Sequence, residues 1–339
     1  MTDKYVVVTG GGTGGHLSVA KSFIEQLYLL DYKVIFIGST KGADKAWFGN
    51  DSKLFKTYFF DTKGVVNQNF FGKINSLFKI LKATVQIIGI YHKYKVSKVI
   101  SVGGFSAAPA AFATIFTKTD FYIHEQNSIM GKLNSITSKF AKNVFSSYDP
   151  NSLVKDYPIN SVFFEHQRVR DTIKTIIFLG GSQGATAINN FAMEIALYLK
   201  EQNINIIHQT GKNDFEKLKD FYKQSNIDAV VFDFSTDILK YMDKADFAIS
   251  RSGASTLWEL SAIGLPALFI PYPFAAANHQ YYNAKFLLNQ NLCFLSTEKD
   301  LDISLIKDIL NKDIKPISEK LILTIKKDGA KKIISKILD

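Results

Sequence analysis

YVVVTGGGTGGHL, residues 5–17, carries an apolar run straight into a glycine turn and out into helical spacing. TIIFLGGSQGATAI, residues 175–188, repeats the same order in the second half. A buried strand, then small residues, then a helix is how a parallel α/β sheet presents helix N–H groups to a phosphate. Around the first turn, the spacing predicts a strand over 5–9, a helix over 17–30 and a strand over 33–38, a βαβ unit. Further strands are expected at 98–102, 121–124 and 144–146. A second series, at 175–179, 204–209, 230–232, 247–250 and 267–270, alternates with helices such as 188–200 and 256–263. Between them, residues 149–172 lapse into Asp, Pro, Asn and charged residues and read as a linker. The expected architecture is α/β, with two Rossmann-like doubly wound domains facing a central cleft.

The chain has 339 residues, 46% hydrophobic and 21% charged, enough for two cores without staples. The single cysteine, Cys293, excludes a disulfide framework and cysteine-rich zinc modules, and a reducing compartment is expected. No basic leader or small-residue cleavage site precedes the first strand, so no secretory signal is expected. Residues 99–117 and 260–284 are long and uncharged. Gly103, Gly104 and Pro109 interrupt the first, and Pro266, Pro271 and Pro273 the second, so neither predicts a membrane span.

The net charge of +10 is unevenly placed. No acid lies between Asp61 and Asp120, while Lys63, Lys73, Lys79, Lys82, Lys93, Lys95, Lys98 and Lys118 do. Ile74, Leu77, Phe78, Leu81, Val85, Ile88 and Tyr91 or His92 fall near helical spacing among them, a basic amphipathic helix. It is either a core helix with a solvated lysine face or a surface that docks on anionic lipid. No RNA- or DNA-binding module is recognisable.

Gly10, Gly12 and Gly15 match G-x-G-x-x-G, but the second strand ends in Phe36, Ile37, Gly38, Ser39 and Thr40, without the acid that holds a nicotinamide ribose. There is no P-loop either. In the second half, Arg251, Ser252, Gly253, Ala254, Ser255 and Thr256 follow a strand and open a helix that carries Glu259 one turn in. Such a turn can face a diphosphate with backbone N–H groups while the carboxylate accepts ribose hydroxyls; it can equally be a capped helix with a surface glutamate.

The motifs taken together resemble the MurG family. They are GGTGGH at 11–16, VGGF at 102–105 with Pro109 after it, HEQN at 124–127, GGSQGA at 180–185, HQTGK at 208–212, RSGASTLWELSAIGLPALFIP at 251–271 and HQYYNA at 279–284. The resemblance covers nearly the whole chain. It implies a GT-B fold and inverting transfer of N-acetylglucosamine (GlcNAc) from UDP-GlcNAc to the muramyl C4 hydroxyl of lipid I. It also implies no cofactor and a peripheral position on the cytoplasmic face of the inner membrane. The domains it implies are 1–155 for the acceptor and membrane, with 317–339 packing back on them as a last helix, and 165–316 for the donor.

Residue by residue, the resemblance places the backbone of Phe234 or Ser235 against uracil. Ala254, Ser255 and Thr256 are expected at the diphosphate, with Ser182 beside them, Leu257 among the substrate-binding residues, and Glu259 at the ribose. Gln280, with His279 next to it, is expected at the transferred sugar. Asn127 reaches the same sugar from the first domain, where Thr13, Gly14 and Gly15 line the meeting of donor and acceptor. The family's Asn-Pro-Val-Arg is replaced here by His166, Gln167, Arg168, Val169 and Arg170. Arg170 is expected at phosphate, with Arg168 as its rival. The aromatic-Pro-small insertion that commonly follows His16 in the family is missing.

Inverting transfer needs a base for the acceptor hydroxyl and fixed positive potential for the departing UDP. His16 is the leading base, and it could instead cap the helix or bind acceptor phosphate. Glu125 and His124 are secondary candidates, or orient the loop carrying Asn127. No Asp-x-Asp pair calls for a metal. A UDP-GlcNAc 2-epimerase and a non-catalytic membrane-associated UDP-GlcNAc-binding protein are the alternatives.

Overall fold

The computed structural model describes residues 4–64, 68–181 and 184–339. It divides into two compact units, 1–160 with 328–339, and 161–327. The first unit holds β1 (Tyr5–Thr9), α1 (Gly14–Leu29), β2 (Lys33–Ser39), α2 (Asp44–Phe48), β3 (Lys56–Phe60), α3 (Phe70–Tyr94), β4 (Lys98–Ser101), α4 (Ala108–Thr117), β5 (Asp120–Glu125), α5 (Lys132–Thr137) and β6 (Asn143–Ser146). The second holds β7 (Thr175–Leu179), α6 (Thr186–Glu201), β8 (Asn205–Gln209), α7 (Phe215–Gln224), β9 (Ala229–Phe232), α8 (Leu239–Met242), β10 (Phe247–Ser250), α9 (Ala254–Ala262), β11 (Ala267–Phe269), α10 (His279–Leu288), β12 (Phe294–Leu295), α11 (Ile303–Leu310) and α12 (Lys315–Thr324). The chain then returns to the first unit as α13 (Gly329–Leu338).

Each unit is built on a six-stranded parallel sheet, ordered β3-β2-β1-β4-β5-β6 and β12-β11-β10-β7-β8-β9. Both orders reverse beside the first strand of the unit, between β1 and β4 and between β7 and β10. These are the places where a doubly wound sheet opens a crevice at its strand C-termini. The inner strands are apolar on both faces because helices cover both; Val6, Val7, Val8, Ile176, Ile177 and Phe178 are fully buried. Edge strands β3 and β12 have no counterpart in the sequence reading. One is half-buried and the other two residues long, so neither carries the buried run that marks an inner strand.

The division between the units, at 160/161, falls within residues 149–172, where Tyr157, Phe163 and Arg170 are nevertheless buried. One expectation is corrected. The last basic stretch, 317–339, is not one helix. Ile325 is extended and Asp328 left-handed, so α12 stays on α9 in the second unit and only α13 packs on α1. Gly329 permits the return, since a Cβ there would stand 2.5 Å from Asp156 O and 2.8 Å from Tyr157 O.

Both readings of the basic amphipathic helix have a counterpart in α3. Its core face is Ser76, Ile80, Ala83, Thr84, Ile87 and Tyr91, with the Tyr91 hydroxyl donating to Ala110 O (3.0 Å). Ile74, Leu77, Phe78, Leu81 and Val85, joined by Phe70 and Phe71, form a separate ridge with 50–79% of each side chain exposed. The helix is apolar on two faces, and only one meets the sheet. Among the described residues no helix is long and apolar enough to cross a membrane.

Candidate active site

In the second unit a pocket of ≈ 720 Å³ opens where β7 and β10 end. Gly180, Gly181 and Gly184 form one wall, and Ser250, Arg251, Gly253, Thr256 and Glu259 another; Phe234, Ser235, Tyr272, Gln280 and Glu298 close it. Two helices begin at its edge. Among the described residues neither α6 nor α9 has a side-chain bond from its N-cap residue or an acid in its first turn, so the positive end of each helix dipole lies at the pocket uncompensated by a carboxylate of its own first turn. The glycine turn is held by HQTGK. A Cβ on Gly184, whose φ is +79°, would lie 2.5 Å from Thr210 O, and Asn189 Nδ2 donates to the same carbonyl (3.0 Å). His208 is core, bonded to the Tyr222 hydroxyl and Asn189 Oδ1, and burial pulls its imidazole down to about 3.

Glu259 lies partly buried on the wall, and desolvation pushes its carboxyl up to about 7. Gln280 accepts at Oε1 from the Tyr272 N–H (2.9 Å), which fixes its amide at the rim. His279 turns to Ala276 O instead. Ser235 and Phe234 are on the wall, but the Phe234 N–H already donates to the Asp233 carboxylate (2.7 Å). Ser182 lies outside the described residues.

Other expectations do not survive. Leu257 is fully buried and its N–H bonds Gly253 O inside the helix, so it offers a ligand nothing; Ala254 and Ser255 lie between the wall residues Gly253 and Thr256 and can contribute only through the backbone that opens α9. Arg170 is 1% exposed, its guanidinium donating to Ala245 O, Arg168 O and Ile263 O. Its rival Arg168 spans Asp243 O, Ala245 O and Asp246 Oδ1. Both arginines tie backbone carbonyls: Arg170 because its buried guanidinium needs acceptors for its fork of donors, and Arg168, half-exposed, together with its ion pair to Asp246. The arginine on the wall is Arg251, which the sequence reading gave no role. It donates to Ile270 O and Pro271 O, pairs with Glu298 (2.5 Å) and lies over the Tyr272 ring. Its position directly after β10, at the switch point, was the available signal.

In the first unit, the turn after β1 is packed backbone to backbone. Gly11 N–H donates to Gly103 O (3.1 Å), and a Cβ on Gly104 (φ +79°) would lie 2.2 Å from Gly11 O. Asp44, fully buried and not foreseen, accepts from Gly12 N–H (2.6 Å) and Ser39 N–H (2.9 Å), joining the turn to β2. Thr13 and Gly14 are exposed, and Gly15 and His16 partly so. The Thr13 hydroxyl and His16 Nδ1 are 2.8 Å apart, which sets the ring at the start of α1. His124 lies close enough for His16 to act on it; burial first, and then that neighbour, pull it down to about 3, so it stays neutral.

Glu125 is corrected as a base. It is buried, Oε1 accepting from Asn127 N–H (2.9 Å) and Oε2 from Gly131 N–H and Asn134 Nδ2 (3.0 and 2.8 Å). With both oxygens spent, it shapes the loop that carries Asn127.

Residues 6–146 match the model of the glycosyltransferase family 28 N-terminal domain, and residues 175–337 that of the C-terminal domain. The chain is 50% identical over 335 residues to a protein of Campylobacter fetus subsp. fetus, covering 98% of this chain and 99% of the relative. It is 48% identical over 328 residues to one of Sulfurovum sp. (strain NBC37-1), covering 97% and 96%. Each is named UDP-N-acetylglucosamine--N-acetylmuramyl-(pentapeptide) pyrophosphoryl-undecaprenol N-acetylglucosamine transferase. The crystal structure of Acinetobacter baumannii MurG superposes with a TM-score of 0.81 at 28% identity over 99% of each chain. A UDP-N-acetylglucosamine 2-epimerase structure reaches 0.64 at 12% identity, covering 100% of this chain and 96% of that one, a likeness of fold alone.

Proposed function

The chain belongs to the MurG family of GT-B glycosyltransferases, and from that premise we propose that it transfers GlcNAc from UDP-GlcNAc to the muramyl C4 hydroxyl of lipid I, with inversion, to give lipid II. The observation that carries the donor half is the pocket where β7 and β10 end, with two helix starts at its edge and a carboxyl one turn into α9. Its volume suits a sugar nucleotide. The diphosphate faces the N–H groups that open α6 and α9, Glu259 accepts from the ribose hydroxyls, and Gln280 meets the sugar.

His16 takes the C4 hydroxyl proton as that oxygen attacks the anomeric carbon. The bond to the β-phosphate oxygen breaks, and its electron pair leaves with UDP. The growing charge on that oxygen meets helix N-termini already oriented, so no reorganisation is required as it develops. Asn127, held by Glu125, orients the sugar.

The α3 ridge and the lysines around it support docking on an anionic bilayer, where a lipid-borne acceptor lies. Apolar side chains enter the acyl boundary while each nearby lysine adds about 1 kcal/mol. We assign the protein to the cytoplasmic face of the inner membrane as a peripheral protein.

The test is a transfer assay with labelled UDP-GlcNAc and a short-chain lipid I analogue. Wild type is expected to form disaccharide and to leave the donor unconverted when the acceptor is omitted. His16→Ala is expected to lower kcat by about 10²–10⁴ with the donor KM unchanged. Conversion of the donor alone would favour the epimerase, and full turnover by His16→Ala would remove it as the base.

A further inference from the structure

A second pocket, of ≈ 510 Å³, lies in the first unit beyond the end of β3 and against the start of α3. Lys41, Lys63 and Lys79 line it together with one acid, Asp61. Lys79 pairs with Asp61 at 2.6 Å. That hydrogen bond, and then the charges of Lys79, Lys41 and Lys63, hold the Asp61 carboxyl below its usual range, so all three ammonium groups act on one spot. Three cations against one carboxylate leave an excess of two positive charges around a hollow.

The neighbours of this hollow lie in a definite order. On one side, a Cβ on Gly42 would stand 3.0 Å from Gly12 O, which places Lys41 beside the glycine turn that leads to His16. Phe105 is the shared wall there: a Cβ on Gly12 would lie 2.5 Å from its ring, and one on Gly64 3.6 Å from its Cβ. On the other side, Asn75 lines the pocket and has Phe71 and Phe78 as its i−4 and i+3 neighbours on α3. Both phenylalanines belong to the exposed ridge. Within one unit the surface therefore runs from apolar ridge to cationic hollow to the turn that carries the base.

We infer that this hollow, lined by Lys41, Lys63 and Lys79, binds the pyrophosphate of a prenyl-pyrophosphoryl sugar acceptor. The inference rests on the proposed transfer. Such an acceptor has the matching order: apolar chain, doubly charged linker, sugar. The pyrophosphate lies between the lysines, with Lys41 and Lys63 contributing the charge that Asp61 does not neutralise. The chain leaves along Phe71 and Phe78, and the sugar points toward His16.

The test uses the full chain, a Lys41→Ala/Lys63→Ala double variant and its Lys→Arg counterpart, with thermal melts to check the fold. With a soluble short-chain lipid I analogue and no vesicles, the alanine variant is expected to raise the acceptor KM about tenfold or more, from two lost charge-assisted contacts. Its kcat at saturating acceptor and its UDP-GlcNAc KM stay unchanged, and the arginine variant recovers the acceptor KM. Calorimetric titration with farnesyl pyrophosphate is expected to show binding to wild type that the alanine variant loses, with farnesol bound weakly by both. An unchanged acceptor KM overturns the inference. So does a variant that loses only binding to phosphatidylglycerol vesicles, since the lysines would then serve lipid headgroups. Should wild type transfer nothing, the proposed function fails, and the farnesyl pyrophosphate titration still decides whether the hollow takes a pyrophosphate.

Discussion

Glu259 combines two demands that pull against each other. To accept ribose hydroxyls it must be ionised, yet the pocket wall desolvates it and holds its carboxyl near 7, against about 4.5 when exposed. A carboxyl raised on folding supports the folded state fully below pH about 4.5 and loses that support as pH rises through about 7. Glu259→Gln is therefore expected to melt with wild type near pH 4.5 and above it at pH 8, by up to about 3 kcal/mol. The same variant should raise the UDP-GlcNAc KM, a stability gain set against a binding loss; equal melting temperatures at both pH values would count against the raised carboxyl. Gly104 makes the opposite case, in which backbone approach alone fixes the residue. Its φ of +79° and the 2.2 Å that a Cβ would leave to Gly11 O predict that Gly104→Ala costs about 2–4 kcal/mol, read from urea unfolding.

The long helix α3 is the element whose two apolar faces serve two environments. Ile87 and Tyr91 hold it on the core it shares with α4 and the sheet, while Leu77 and Phe78, 55% and 66% exposed, contribute little to the fold. Leu77→Glu/Phe78→Glu is expected to leave the melting temperature nearly unchanged, as exposed substitutions do. Cosedimentation with phosphatidylglycerol vesicles should fall about tenfold or more, through lost apolar insertion and two added negative charges. Retained cosedimentation would mean that the ridge is not the docking face. Periodicity alone could not separate the faces. Ile74, Leu77, Phe78 and Leu81 repeat with helical spacing, whereas the true core side mixes Ser76, Ala83 and Thr84 with its isoleucines.

Across the whole chain, the first unit is completed only by the last residues. Ile333, Ile334 and Ile337 of α13 are buried, and α13 packs on α1. A chain ending at Lys327 is expected to lose on the order of 5 kcal/mol from the first unit, at about 1.5–3 kcal/mol for each buried isoleucine. UDP binding by the second unit should persist; an unshifted urea transition would show that α13 is dispensable. The alternation of apolar runs with glycine turns was enough to reveal both parallel sheets, because inner strands covered on both faces must be apolar throughout and the turns at their ends must admit a close backbone. Thr256 and Glu259 could be read the same way, since the turn that carries them follows directly on a strand end, whereas Ser235 and Gln280 came only from the resemblance. Side-chain destinations could not. Whether Arg170 meets a phosphate or three carbonyls, whether Glu125 is free or engaged by its loop, and which face of α3 meets the core depend, beyond the bonds to Arg168 O and from Asn127 N–H two residues away, on partners up to 93 residues away. Such contacts exist only once the elements have packed, so the tertiary structure alone could assign them.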